Sequence, residues 1–411
     1  MVDDQRDFPV RDGEAAPRRE TKIRVAIVAG EPSGDVLGAR LIRALRAAMP
    51  DVDLAFEGVG GDAMLAEGFD TIFALERLSV MGLVEPLGRL PELFRRRRGL
   101  VQHWRTNPPA LFIGIDAPDF NLGLARKLKH HRIATAHLVS PTVWAWRPGR
   151  IRVVERSCDH LLCLFPFEPE LYKGTAVRAT FVGHPMAAVR REIGDRAAAR
   201  ERLEQHGNQT VFAFLPGSRE AEIRQLLPDF VRAAQLLRSR DPARRVLLPA
   251  ANAERYAQLR EMLAKLDPAG DIVLLNGHSR ETMLAANVVI LASGTASLEA
   301  MLLERPMVVA YRMAALSWTI LSRLAVTKFV GLPNILVGRA VVPELLQDEL
   351  SSTQLALEAE RLLLEGKAQL EALAQARSSL EVDFDEAIGK TLRPLLKSEN
   401  REPKVAPLAS Q

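Results

Sequence analysis

Cysteine is nearly absent: Cys158 and Cys163 are the two thiols in 411 residues. Their odd spacing in an apolar segment points them to opposite faces of a strand, which disfavours a mutual disulfide, and no second pair exists to complete a zinc site. Reduced core thiols are expected. Long hydrophobic runs are missing too, since no segment carries the ~18 uninterrupted apolar residues of a spanning helix. Residues 1–22 mix both charges and have no apolar stretch of the signal-peptide kind, so they are expected to form a disordered extension. The protein is therefore expected to be cytoplasmic, with any membrane contact peripheral. Nor does one sign of charge dominate. Lys and Arg total 55 against 51 Asp and Glu, and a net +4 does not imply a nucleic-acid partner. A complete Gly-x-x-x-x-Gly-Lys-Ser/Thr loop is absent, and Gly30, Gly34 and Gly38 are spaced four apart rather than as a dinucleotide fingerprint. NTP hydrolysis and hydride transfer are disfavoured. His/Cys ligand spacing is also lacking, and Asp51-Val-Asp53 and Asp383-Phe-Asp385 lie away from the other candidates, so a reaction without metal or cofactor is expected.

What is present is a repeating alternation of apolar runs and helical periodicity. Residues 23–28, 111–115, 135–139 and 160–164 read as buried strands, with helical stretches at 36–49 and 122–128. A boundary falls near Val182-Gly183-His184-Pro185. The pattern then restarts with runs at 211–215, 246–249, 272–275, 288–291 and 307–310, and residues 353–396 read as helix. Strands alternating with helices imply parallel sheets covered on both faces. The expected fold class is α/β, with two Rossmann-like doubly wound domains facing a cleft. The expected division is a disordered extension 1–22, an acceptor-binding domain 23–185, a nucleotide-sugar domain 186–370, C-terminal helices 371–397 packing back on the first domain, and a disordered tail 398–411.

Six segments carry candidate chemistry. Ala29-Gly30-Glu31-Pro32-Ser33-Gly34-Asp35 turns from a strand into a helix with Glu31 and Asp35 flanking Ser33, more polar side chains than a bare turn needs. In Gly114-Ile115-Asp116-Ala117-Pro118-Asp119, Asp116 stands at the carboxyl end of a buried strand, where open α/β sheets bind ligands. A carboxylate there is a helix cap or a general base; Asp119 is the better cap candidate, which leaves Asp116 for chemistry. Trp144 and Trp146, in one loop with Pro141, either plug a core, stack on a sugar or line an acyl groove. Leu215-Pro216-Gly217-Ser218-Arg219 reads as a phosphate cradle or a structural turn, and Ser293-Gly294-Thr295 as a helix N-terminus offered to an anion. Two such loops in one domain suggest a diphosphate. Arg95 to Arg98 follow the apolar stretch Leu78–Phe94, either as a solvated helix face or as a cationic collar beside a membrane-facing patch.

AGEPSGD at 29–35, LSVMGLVEPLGRLP at 78–91, GIDAPDFN at 114–121, SPTVWAWRPGRI at 140–151, LPGSR at 215–219, LASGTASLEAML at 291–302 and LPNILVGR at 332–339 together closely resemble the lipid-A-disaccharide synthase family. The resemblance runs from about Ile23 to the C-terminal helices. It implies a glycosyltransferase-B fold and the joining of UDP-2,3-diacylglucosamine to 2,3-diacylglucosamine 1-phosphate, giving a β-1,6-linked disaccharide 1-phosphate and UDP. It also implies Asp116 as base, Arg219 and Asn334 in the active site, and Glu31 in the acceptor-side loop with Ser33 and Gly34. Met81, Trp144 and Trp146 join the acceptor side on this reading. Gly217, Ser218, Arg219, Ser293, Gly294, Thr295 and Glu299 are expected to hold UDP, Glu299 through the ribose or else as a surface or capping residue. The membrane surface and a second copy of the chain are further expected partners. A UDP-sugar epimerase, a transferase with another lipid acceptor, and a non-catalytic lipid-binding protein remain the alternatives.

Overall fold

The computed structural model describes residues 22–78, 85–144, 149–188, 194–205, 207–314, 318 and 327–396. In the first half the chain alternates β1 (Ile23–Ala29), α1 (Pro32–Ala48), β2 (Leu54–Val59), α2 (Asp62–Ala66), β3 (Asp70–Thr71), α3 (Glu85–Thr106), β4 (Leu111–Ile115), α4 (Pro118–His130), β5 (Ala134–Leu138), α5 (Arg150–Ser157), β6 (His160–Cys163) and β7 (Arg178–Phe181). The seven strands form one parallel sheet in the order β3-β2-β1-β4-β5-β6-β7. Parallel neighbours require crossovers, and the helices that make them cover both faces. That is why β1, β4 and β5 read as unbroken apolar runs.

The second half repeats the plan with α6 (Arg196–Arg202), β8 (Val211–Leu215), α7 (Glu220–Arg240), β9 (Arg245–Ala250), α8 (Ala253–Leu266), β10 (Ile272–Asn276), α9 (Ser279–Ala285), β11 (Val288–Ala292), α10 (Thr295–Leu302), β12 (Met307–Tyr311), α11 (Leu332–Val337) and β13 (Glu344–Leu346). Its sheet order is β10-β9-β8-β11-β12-β13, again all parallel. Alternate residues feed two separate cores. Phe212, Phe214, Val246, Leu248 and Ile290 face one side with α7, whereas Val211, Ala213, Leu247, Val289 and Leu291 face the other with α9 and α10. Both sheets therefore reverse strand order once, between β1 and β4 and between β8 and β11. Ligands of open α/β sheets sit at the strands' carboxyl ends at such reversals.

Two helices follow β13, α12 (Ser352–Ser378) and α13 (Phe384–Leu396). The division expected at residues 370/371 falls inside α12. That helix stays with the second unit to its end, because Leu373 and Ala376, with Leu380 just beyond it, are buried in one of that unit's cores. The return comes with α13, whose Phe384, Ile388, Leu392 and Leu396 enter the core of the first unit at four-residue spacing. Gly389 permits this approach: a Cβ there would lie 2.5 Å from the Cβ of Ala48 on α1. Arg40 of α1 adds an ion pair to Asp385 at 2.8 Å and lies over the Phe384 ring. Cys158 and Cys163 are both free and buried. Among the described residues no helix is long and apolar enough to cross a membrane.

Candidate active site

At the first reversal the chain leaves β4 through two consecutive left-handed residues, Asp116 (φ 50°) and Ala117 (φ 42°). Neither is glycine, and each such residue costs about 1–3 kcal/mol. The surroundings hold this turn firmly. Asn121, fully buried on α4, directs Nδ2 at three carbonyl oxygens, those of Val28 (3.1 Å), Ile115 (3.1 Å) and Asp116 (2.9 Å). The Asp116 N–H donates to the Leu138 carbonyl at 3.0 Å. Gly30, at the end of β1, lets the turn come close, since a Cβ on it would meet that of Ala117 at 2.3 Å. Burial raises the Asp116 carboxyl above its ordinary value, against a smaller lowering by the Ala117 N–H. A carboxylate that is partly desolvated and has no cation paired to it among the described residues is suited to taking a proton.

Asp119 does not cap α4. Ala117 occupies the cap position and no side chain accepts from the first turn; Asp119 points outward and pairs with Arg150 at 2.6 Å. The polar set of the first loop also separates. Asp35 is buried and turns inward, accepting the N–H groups of Gly61 (2.7 Å), Ala63 (2.9 Å) and Met64 (3.1 Å), so it secures the start of α2 rather than facing a ligand. Glu31 and Ser33 remain exposed beside Asp116's turn, and Gly34 packs on Ala29 and Ile115. Trp144 is half-buried, while Met81 and Trp146 lie outside the described residues.

At the second reversal the two anion loops differ. The N–H groups of Ser218 and Arg219 already donate to Glu222 Oε2, at 3.2 and 3.3 Å, closing a capping box at the start of α7. The backbone cradle expected at Gly217–Arg219 is thus filled by a carboxylate, because α7 has the same unpaired N–H groups that a phosphate would want. The Arg219 side chain is still presented, 82% exposed, with Glu222 Oε1 at 3.4 Å. By contrast α10 starts at Gly294 and Thr295 without a side-chain cap, and both residues are exposed. Its positive dipole end lies at this exposed start, although the Ser297 N–H is already taken by the Gly294 carbonyl at 3.2 Å. Glu299 lies one turn on, raised by burial and opposed by Arg280 at 3.2 Å.

Asn334, expected to act in catalysis, has its hydrogen-bonding capacity directed inward. Nδ2 donates to the Val342 carbonyl (2.8 Å) and to Glu344 Oε1 (2.7 Å), and Oδ1 accepts from Val341 and Val342 (both 2.8 Å). Glu344 in turn accepts the N–H groups of Val330 and Gly331, and the Val330 carbonyl accepts the Ser293 hydroxyl at 2.9 Å. Asn334 therefore braces the segment beside the Ser293–Gly294 loop instead of reaching out of it.

The family model described as Lipid-A-disaccharide synthetase matches residues 25–389. The chain belongs to the lipid-A-disaccharide synthetase family. Among its curated relatives are the lipid-A-disaccharide synthases of Hahella chejuensis, 46% identical over 92% of this chain and 92% of that one, and of Azotobacter vinelandii, 48% identical over 88% of this chain and 95% of that one. Solved structures share the fold at far lower identity. A UDP-GlcNAc 2-epimerase from Neisseria meningitidis bound to UDP-GlcNAc superposes with TM-score 0.60 at 11% identity, covering 91% of this chain and all of its own. A glycosyltransferase from Rickettsia africae gives 0.55 at 10%, covering 93% and 100%. These are glycosyltransferase-B-type neighbours.

Two residues that brace the candidate site had no place among the sequence candidates. Asn121 left a signal, since it shares the inward stripe of α4 with Leu124, Ala125 and Leu128, where an amide needs a reason to be buried. Glu344 left none, because its partners lie 10 to 14 residues upstream and meet it only through the fold.

Proposed function

We propose that this chain condenses UDP-2,3-diacylglucosamine with 2,3-diacylglucosamine 1-phosphate by inverting transfer. The product is the β-1,6-linked lipid A disaccharide 1-phosphate, and UDP leaves. The observation that carries the proposal is the strained, triply anchored turn that lifts Asp116 out of the first sheet with a raised pKa. Asp116 takes the proton of the acceptor hydroxyl as its oxygen bonds to C1 of the donor sugar. The C1–phosphate bond breaks on the opposite face, and its electron pair departs with UDP. The charge that develops on the diphosphate is met by Arg219 and by the uncapped start of α10, donors in place before the reaction. Glu299 accepts from the ribose once Arg280 yields. Glu31, Ser33, Gly34, Met81, Trp144 and Trp146 are assigned to the acceptor side, and Asn334 holds the nucleotide loops through Glu344.

Both substrates carry acyl chains, so the α3 flank is assigned to the membrane surface at the cytoplasmic face. The arginine run there divides. Arg96 pairs with Glu92 and stacks over Phe73, and Arg97 lies over Phe94, whereas Arg95 and Arg98 are exposed. The exposed pair and Phe94 suit an anionic, apolar boundary.

The test is UDP release by purified protein given UDP-2,3-diacylglucosamine, with and without 2,3-diacylglucosamine 1-phosphate, in detergent with EDTA. Acceptor-dependent release with a disaccharide product supports the reading. Epimerisation, or no turnover by folded protein, sinks it.

A further inference from the structure

The loop that carries Trp144 begins under strain: Val139, β-branched, takes φ 78° at the end of β5. A β-branched residue there is a genuine outlier, so other contacts must hold the loop in place. They come from the 3-10 turn Glu168–Tyr172 after β6. At one end of the loop the Ser140 and Tyr172 hydroxyls are 3.0 Å apart. At the other, Trp144 Nε1 donates to Glu168 Oε1 at 3.3 Å, with the indole edge-on to Phe167 at 5.7 Å. Glu168 is 2% exposed, and its second oxygen accepts the N–H groups of Leu164 and Phe165, both at 3.1 Å. Phe165 stacks on Phe167 and packs against the core of the second unit. One buried carboxylate therefore joins the loop after β5 to the residues where the two units meet. Nothing in the proposed transfer requires a buried acid at this place.

We propose that Glu168, with Tyr172, is a positioning residue that straps the loop Ser140–Trp144 into its acceptor-binding form. The proposal rests on the assignment of Trp144 to the acceptor side. Burial pushes the Glu168 carboxyl up to about 7, against the Phe165, Trp144 and Leu164 N–H groups. The titratable groups that face it are Cys163 from β6 and Tyr172 on its own turn, both raised by burial. His184, whose ring lies tilted against Phe165 at 5.5 Å, is held down to about 4 by burial. None of these is charged near pH 7, so a change there belongs to Glu168. The ionised form accepts from all three N–H groups, and protonation turns one oxygen into a donor. The strap therefore tightens as pH rises through about 7.

The experiment compares wild type with Glu168→Gln, which fixes the neutral form, from pH 6 to 8.5, varying acceptor and donor separately. The acceptor KM of the variant, divided by that of wild type, is expected to be roughly tenfold at the alkaline end, the size of one charge-assisted hydrogen bond, and near one at the acid end. Donor KM should not change. Trp144→Phe keeps a ring and removes only the N–H, and should act non-additively with Glu168→Gln. A ratio of one throughout, in protein whose Tm is preserved, overturns the strap. A shift in both KM values makes the role merely structural, and a shift in donor KM alone removes the loop from the acceptor side. Wild-type turnover in the same assay reports on the transfer reaction independently of the ratio.

Discussion

Gly30→Ala isolates the effect of the Asp116 turn, because the added methyl touches Ala117 and little else. Its Cβ would lie 2.3 Å from the Ala117 Cβ, whereas carbon contacts are comfortable at about 3.5–4.0 Å. The two must separate by more than about 1 Å, and Ala117 is bonded directly to Asp116. Displacement of a reacting group by about 1 Å costs on the order of 100-fold in rate. The overpacking itself costs about 1–3 kcal/mol of stability, readable in the urea midpoint. The expected outcome is a kcat for UDP release down roughly 100-fold, with donor KM preserved. A second change should reverse it. In Gly30→Ala with Ala117→Gly the clashing Cβ is gone, leaving an ordinary 3.7 Å contact to the Cα of residue 117, and glycine tolerates φ 42° better than alanine does. A single variant within threefold of wild-type kcat, or a double variant as slow as the single, would refute the claim that this close approach places the base.

Three further outcomes follow from the same geometry. Asp116→Asn should lower kcat by roughly 10²–10⁴ while UDP affinity stays within about twofold; because burial raises the Asp116 pKa, the acid limb of the wild-type kcat/KM profile should lie above the ordinary aspartate range and vanish in any residual activity of the variant. Glu344→Gln sets an amide against three N–H donors and should weaken UDP binding about fivefold to tenfold by calorimetry, the effect of one poorly satisfied group, with acceptor KM unchanged. Acid should destabilise the fold through His137 and His184, both lowered to about 4 by burial. The unfolded chain binds protons to them from pH 6.5 downward and the folded chain does not. Their contribution is thus complete above pH 6.5 and lost between 6.5 and 4, at about 1.4 kcal/mol per pH unit for each group. In urea titrations at pH 7 and 5, His184→Gln should flatten that slope, and an unchanged slope would show that the loss arises elsewhere.

Much of the architecture was legible because burial on both faces of a parallel sheet forces unbroken apolar runs. The runs at 23–28, 111–115, 211–215 and 288–291 are β1, β4, β8 and β11, the strands that flank the two reversals. The edge strands β3, β7 and β13 went unread. They are short, and largely exposed or half-buried, so they carry no such run. Position also sufficed to put Asp116 at the carboxyl end of a strand, since that depends on local order along the chain.

What the amino-acid order could not determine was the direction of the polar side chains around the site. Glu31 and Asp35 stand four residues apart on one turn, yet the first faces solvent and the second caps α2, because the Gly61–Met64 backbone arrives there from another element. Glu222 fills the nest beside Arg219, and Asn334 turns inward to meet Val341, Val342 and Glu344. Strands and reversals follow from periodicity, a property of neighbours in sequence. A carboxylate or amide goes where unpaired N–H and C=O groups need it, and those groups are brought together only when the chain folds.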